Sequence, residues 1–453
     1  MNKNVAANQD LTEGSVLSQL TKYAVPIVVS NILQALYSMT DIIISGQFIG
    51  SNGISAINNA SQITGLITNT AIGLCTGGSI VIGQCFGAKD DKNRKQVSGT
   101  LLSFSMLIGI FIAIGLFIFA RPLLVLLKAP CLDDALIYLQ TCAIGMLPIL
   151  GYNAISSILR SIGDSKRPFI YVAISSALNV VLDLLFIGPF SMGTFGAALA
   201  TVISQVVAFV LSLVYIMNKD YIMEFNADTL KIRKNHLFMI LKLGVPSILQ
   251  STIASISWLT VTFLINSYGI VISAGNGISI KIKDFCQLFI SAMASATTAM
   301  VAQNLGAEKY ERAKKVTVTA MKITFGMAVI LIIIVELFAP YLARIFNNEQ
   351  EVINAAVLNM RIEIIGQLFY AQFLVYHALA IGAGHAVFAM GSSFVNCIVV
   401  RMVLAITLNH FFGLTGLYLA CMIAPSASVP LGWLYMRSNV WRKSIKFKKT
   451  SEG

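Results

Sequence analysis

The stretch LTKYAVPIVVSNILQALYSMTDIIISGQF, Leu20–Phe48, decides the fold. It is apolar for longer than the about 20 residues a helix needs to cross a bilayer. It also carries one carboxylate, Asp41. A carboxylate inside a membrane-crossing helix costs about 2.5–3.5 kcal/mol on insertion scales, so a chain that keeps one there uses it.

Working outward, apolar runs of this length recur to the end of the chain. Hydrophobic residues make up 56% of the 453 residues, charged residues 11%, and the mean hydropathy is +0.78. Soluble domains carry about 25% charged residues. The alternating pattern of a membrane barrel is absent from the sequence. The class is therefore an all-α membrane protein. Twelve spans are expected, at about 18–48, 54–84, 98–127, 135–159, 168–188, 193–217, 237–268, 274–304, 316–345, 352–381, 386–411 and 413–436. No cleavable signal peptide is expected ahead of the first.

The net charge of +12 invites a nucleic-acid reading, but its distribution opposes one. Most Lys and Arg fall at the N-terminus, in the even-numbered loops and in the tail RKSIKFKK. Only Arg121, Lys128 and Arg344 fall at the odd-numbered ends. This asymmetry puts both termini in the cytoplasm of a cell (plasma) membrane protein. The tail is expected to rest on anionic lipid headgroups. No nucleic-acid partner is expected.

The chain repeats with a period near 220. QCFGAKDDKNRKQV from Gln84 returns as QNLGAEKYERAKKV from Gln303, and AVP at Ala24 returns as GVP at Gly244. GTFGAALATVISQ from Gly193 returns as GLTGLYLACMIAP from Gly413. Six spans per repeat make the halves parallel, two pseudo-symmetric six-helix bundles about an axis along the membrane normal. The expected organisation is an N-lobe (1–218), a cytoplasmic linker (219–236), a C-lobe (237–437) and a basic tail (438–453). Such bundles work as alternating-access transporters more often than as channels, and a monomer suffices. Pro26 and Pro246, at matched positions, are expected to set kinks.

The halves differ where chemistry would sit. Asp41 falls opposite Val261, and Asp183 opposite Val400. Taking the rise per residue, Asp41 lies ~13 Å below the outer end of its span, Asn179 ~12 Å and Asp183 ~6 Å below theirs, and Thr201 ~12 Å. Gln34, Tyr37 and Asp41 share one helix face, as do Asn179 and Asp183. An oxygen-rich cage of this kind suits a hard cation, and two close carboxylates equally suit a proton. Na⁺ and H⁺ both remain open. The competing roles are a structural salt bridge for Asp41 and a hydrated helix end for Asp183.

Lys281 and Asp284 are expected to pair at i, i+3, with Lys283 snorkelling. Glu363, in the tenth span, is the one plausible C-lobe acid, and Arg361 beside it is expected to neutralise it. Arg401 is expected to brace the C-lobe by hydrogen bonds. Asn153, Met146, Met293, Met300, Lys281, Asp284 and Glu363 are candidates for lining a substrate cleft. The seven Cys read as apolar fillers, and the four His show no metal spacing. GQCFGAKD lacks the Gly-Lys-Ser/Thr ending of a nucleotide loop, so neither an ATP-driven pump nor an enzyme is expected.

The opening LTEGSVLSQLTKYAVPIVVSNILQALYSMTDIIISGQFIG resembles the start of MATE (multidrug and toxic compound extrusion) transporters. RSIGDSKRPF followed by LNVVLDLLFIGPFSMGTFGAALAT resembles that family's most recognisable segment, and the likeness covers essentially the whole chain. It implies a two-lobed antiporter that exports organic, often cationic and amphipathic small molecules in exchange for Na⁺ or H⁺. In the DinF-like prokaryotic branch, the polar cluster that carries the cation matches Asp41, Asn179, Asp183 and Thr201, with Tyr37 and Gln34 beside them. Another branch places an acid in the seventh span, but SILQSTIASISW, Ser247–Trp258, holds none. The alternative within the broad superfamily is a lipid-linked saccharide flippase, which would need a strongly cationic cleft.

Overall fold

The structure is a computed structural model that describes residues 10–126, 131–218, 222 and 224–443. Among these residues there is no strand. The first half gives six long helices: α1 (Val16–Phe48), α2 (Gly50–Gly87), α3 (Asp91–Leu126), α4 (Leu132–Ser161), α5 (Lys166–Ile187) and α6 (Gly193–Met217). A short α7 (Ala227–Leu230), capped by the Asn226 side chain on the Thr229 N–H at 2.7 Å, precedes α8 (Lys234–Asn266). Then follow α9 (Ile270–Gly306), α10 (Tyr310–Arg344), α11 (Gln350–Ile365) and α12 (Gln367–Gly382). The last stretch runs through α13 (Ala386–Phe394), a π-turn at Val395–Val400, α14 (Arg401–Ile423) and α15 (Ser428–Arg437).

Ten of these stretches are long and apolar enough to cross a membrane, and eleven if α11 and α12, bent by 45°, form one span. The final stretch, Ala386–Arg437, is 52 residues long, about 78 Å of helix and more than twice the hydrocarbon thickness. It breaks at Gly413, whose φ of 58° and ψ of −138° are non-helical. Counting its two arms separately gives twelve spans, so the protein is an all-α, multi-pass membrane protein.

The chain divides into two compact units, and their borders differ from those expected from the sequence. One unit contains Val29–Gly244. The other contains Leu11–Val28 and everything described from Val245 onward. The start of α1 therefore belongs with the C-terminal half, and the start of α8 with the N-terminal half. The physical reason lies in the polar ends of the repeat. The Leu11 N–H donates to Gln303 Oε1 at 3.1 Å, Asn304 Nδ2 donates to the Leu11 carbonyl at 3.2 Å, and Lys309 Nζ donates to the Thr12 carbonyl at 3.0 Å. Leu20, Tyr23, Ala24 and Ile27 then bury against Met293, Ala296 and Met300.

The N-terminal half repeats this arrangement one period on. Ser103 Oγ donates to the Leu230 carbonyl at 2.7 Å, and Thr100 Oγ1 to the Lys231 carbonyl at 3.3 Å. Beyond that the start of α8 lies on α2, where Gly77 and Gly244 permit backbone contact. A Cβ on Gly77 would meet the Ile240 carbonyl at 2.3 Å. The linker residues 224–233 are thus part of the first unit, not a free connector. Of the basic tail, Ser444 onward lies outside the described residues, as do Lys128 and Lys219.

Candidate functional site

The candidate site is built on three helices of the first unit. On α1, Tyr37, Asp41 and Ser45 recur at helical spacing on one face. On α5, Ser175, Asn179 and Asp183 form a polar stripe at i, i+4, i+8, and all three are buried, Asp183 at 0% exposure. On α6, small residues at Gly196, Ala197, Ala198 and Ala200 are buried beside Thr201 and let the helices approach closely.

The stripe on α5 meets α6 through hydrogen bonds. Ser175 Oγ donates to the Ser204 carbonyl at 3.0 Å. One turn on, the Asn179 amide is assigned with its nitrogen donating to Asp183 Oδ2 at 2.7 Å and its oxygen accepting from the Thr201 N–H at 3.2 Å. In the reverse orientation Asn179 would make only a 3.5 Å contact to Thr201 Oγ1, so the first assignment satisfies more groups. Thr201 Oγ1 donates to the Ala197 carbonyl at 3.1 Å and lies 3.4 Å from the Tyr37 hydroxyl. That contact ties α1 to α6.

Asp41 is 9% exposed. It is close enough to Asp183 and to Tyr37 for their charges and dipoles to interact. Among the described residues, Asp41 Oδ1 and Asp183 Oδ1 are both buried without a hydrogen-bond partner, and so is Ser45 Oγ. Among the described residues, no ion pair involves either acid. A salt bridge therefore does not account for Asp41, and a hydrated helix end does not account for the fully buried Asp183. Ile44, Ala60, Leu139, Cys142, Met146 and Ala198 belong to one apolar cluster of this unit.

Five of the six residues expected here are therefore gathered: Tyr37, Asp41, Asn179, Asp183 and Thr201. Gln34 is exposed and makes no hydrogen bond to the group. Sequence reasoning missed Ser45, one turn beyond Asp41 on the same face, where the i, i+4 spacing was available as a signal. It also missed Tyr138 and Cys142 on α4, both 4% exposed and within electrostatic reach of Asp41. An apolar-looking helix such as α4 gives no sequence signal for them. No cluster of three or more His, Cys, Asp or Glu with metal-ligand geometry occurs among the described residues. A cation here would be held by carboxylate, amide and hydroxyl oxygens, and the two partnerless carboxylate oxygens fit such a donor set.

The second unit corrects several expectations. Lys283 does not snorkel. It is buried, its Nζ lies 2.7 Å from Glu363 Oε2, and it stands 3.6 Å from the centre of the Trp258 ring. Arg361 does not neutralise Glu363. It is half-exposed and faces Glu336 at 3.6 Å. Lys281 and Asp284 are both exposed and make no ion pair with each other. The ammonium of Lys283 fits the low-dielectric interior because Glu363 is already there, a long-range pairing that helix periodicity cannot reveal. Among the cleft candidates, Met146 is buried in the first unit's core and Met293 and Met300 in the second's, so they fill cores rather than line a cleft. Asn153 Nδ2 donates to the Ile149 carbonyl of its own helix at 2.8 Å.

Comparison with known proteins places this architecture. The MatE family model matches residues 26–185 and 246–407, one copy in each half. The chain is 27% identical over 446 residues to the "Probable multidrug resistance protein YoeA" of Bacillus subtilis (strain 168), covering 96% of both chains. It is 25% identical over 415 residues to the "Multidrug export protein MepA" of Staphylococcus saprophyticus, covering 91% of both. Among solved structures, "Crystal structure of MATE in the straight conformation" superposes with a TM-score of 0.90 at 23% identity, covering 95% of this chain and 98% of that one. "Outward-facing conformation of a multidrug resistance MATE family transporter of the MOP superfamily" gives a TM-score of 0.90 at 23% identity, covering 97% and 99%. With the helical membrane fold, the duplicated half and a family model matched across both copies, the chain belongs to the MATE family of transporters.

Proposed function

We propose that this protein is a cation-coupled antiporter that exports organic, cationic or amphipathic small molecules by alternating access, with Na⁺ or H⁺ carried at Asp41 and Asp183. The observation that carries this reading is the pair of buried carboxylates, each with an oxygen that has no partner and neither in an ion pair among the described residues. Two close carboxylates away from water need a counter-charge, either a proton shared between them or a cation. Tyr37 and Thr201 link α1 to α6 at the same level, so occupancy can bias where α1 sits. The names of the relatives, multidrug resistance and multidrug export proteins, support an organic cargo.

The reading places both termini and the linker on the cytoplasmic side, in agreement with the Lys/Arg asymmetry. It needs no second copy of the chain and no nucleotide. A flippase is not favoured, because the buried group on α1 and α5 is acidic, with Asp41 and Asp183, and the relatives are named for drugs. The test is efflux from proteoliposomes under an imposed Na⁺ or pH gradient. Acceleration by one gradient identifies the coupling ion. Transport indifferent to both would refute the proposal.

A further inference from the structure

The second unit holds a cavity of about 280 Å³, at the small end of sites that bind one- or two-ring molecules. Its wall carries three buried charges: Lys283, Arg401 and Glu363. Glu363 and Lys283 neutralise each other at 2.7 Å. Arg401 is 5% exposed and has no carboxylate within 4 Å among the described residues. Among the described residues its guanidinium donates one hydrogen bond, from Nη1 to Ser257 Oγ at 3.4 Å, and its Nε is buried without a partner. Asp284, the other acid nearby, is exposed, lies outside the wall, and sits beside Lys281 and Lys283.

A guanidinium cannot shed its proton in a protein, so its charge stays in the cavity. Burying such a charge without an anion costs several kcal/mol. Stacking on Trp258, with Arg401 Cζ 4.6 Å from the ring centre, covers one face of the guanidinium, and its Nε–H is left without a partner. Aromatic walls at Trp258, Tyr370 and Phe373 complete a surface that suits a flat apolar body.

We infer that this cavity binds an organic monoanion, with its carboxylate or equivalent group on Arg401 and its flat apolar body against Trp258, Tyr370 and Phe373. This goes beyond the coupling reading and does not depend on Asp41 or Asp183. The two cations and one acid leave a single net positive charge, which suits one negative charge and falls short of a pyrophosphate.

The probe is radiolabelled 2-naphthoate, bound at equilibrium to the purified full-length protein in nanodiscs. Its neutral and cationic counterparts are 2-naphthylmethanol and 2-naphthylmethylammonium. Naphthoate is expected to bind saturably and at least about tenfold more tightly than either, the size of one charge-assisted hydrogen bond. Arg401→Gln removes an uncompensated buried charge, so folding is expected to survive. It should weaken naphthoate about tenfold or more. Glu363→Gln removes the acid that holds Lys283 and is expected to tighten naphthoate, which a purely structural Glu363 would not do. Equal binding of the neutral alcohol, tighter binding of the ammonium, or naphthoate affinity unchanged in a monodisperse Arg401→Gln protein would each overturn the inference. The wild-type comparison of anion with alcohol decides alone if a variant fails to fold.

Discussion

Asp41→Asn separates a transport role from a structural one. Asp41 is 9% exposed, its Oδ1 has no partner, and no cation pairs with it among the described residues. A buried unsatisfied polar atom costs about 1–3 kcal/mol, and an ionised Asp mid-span costs about 2.5–3.5 kcal/mol. Asparagine keeps the size, removes the charge and ends the repulsion with Asp183. The variant is therefore expected to be at least as stable as the parent, by up to about 3 kcal/mol, in a thermal melt of purified protein. Coupled efflux should move the other way. A charge-assisted contact is worth about 1.5–3 kcal/mol, so losing it weakens cation binding at least about tenfold. For a proton the loss is complete, because an amide has no titrating group in range. The assay is gradient-driven efflux of a fluorescent organic cation from proteoliposomes containing monodisperse protein. Near-normal efflux, or a variant markedly less stable than the parent, would refute the reasoning and return Asp41 to a structural role.

Asn179→Ala removes the donor to Asp183 Oδ2, leaving that oxygen without its 2.7 Å bond. A loss of about 1.5–3 kcal/mol in thermal stability is expected, together with slowed efflux, and an unchanged melt would contradict the assigned amide orientation. Lys283→Met leaves Glu363 buried and unpaired, so a destabilisation of about 3–5 kcal/mol should appear by fluorescence-detected gel filtration after heating. The double variant Lys283→Met with Glu363→Leu should recover most of it. At the linker, a hydrogen bond and the charge of Lys95 hold the half-exposed Glu224 carboxyl below its usual range. A depressed carboxylate stabilises above its unfolded value and loses that contribution as pH falls through the lowered one. Limited proteolysis of the linker should therefore speed up on acidification below the ordinary carboxylate range in the parent, and show no such step in Glu224→Gln.

What the sequence determined by itself follows from local chemistry. Long apolar runs cannot leave backbone groups unbonded in lipid, so they must be helices, and their spacing and repeat specify two six-span halves. A carboxylate in such a run is costly, which singled out Asp41 and Asp183 before any geometry was known. The i, i+4 spacing likewise put Asn179 beside Asp183, because helix neighbours are fixed by sequence distance. Tertiary structure decided whatever depends on partners far apart in the chain. Lys283 finds Glu363 rather than snorkelling, 80 residues away, and Arg361 turns to Glu336 instead. Tyr138 and Cys142 approach Asp41 from α4, and Met146, Met293 and Met300 disappear into cores. The unit borders moved for the same reason. Leu11 and Leu230 stand one repeat period apart: Leu11, expected in the N-lobe, is bonded through its backbone to the second unit, and Leu230, expected in the linker, to the first. Helix periodicity describes one helix at a time, whereas the energy of a buried charge or an unpaired carbonyl is set by whichever distant group the fold brings within about 3 Å.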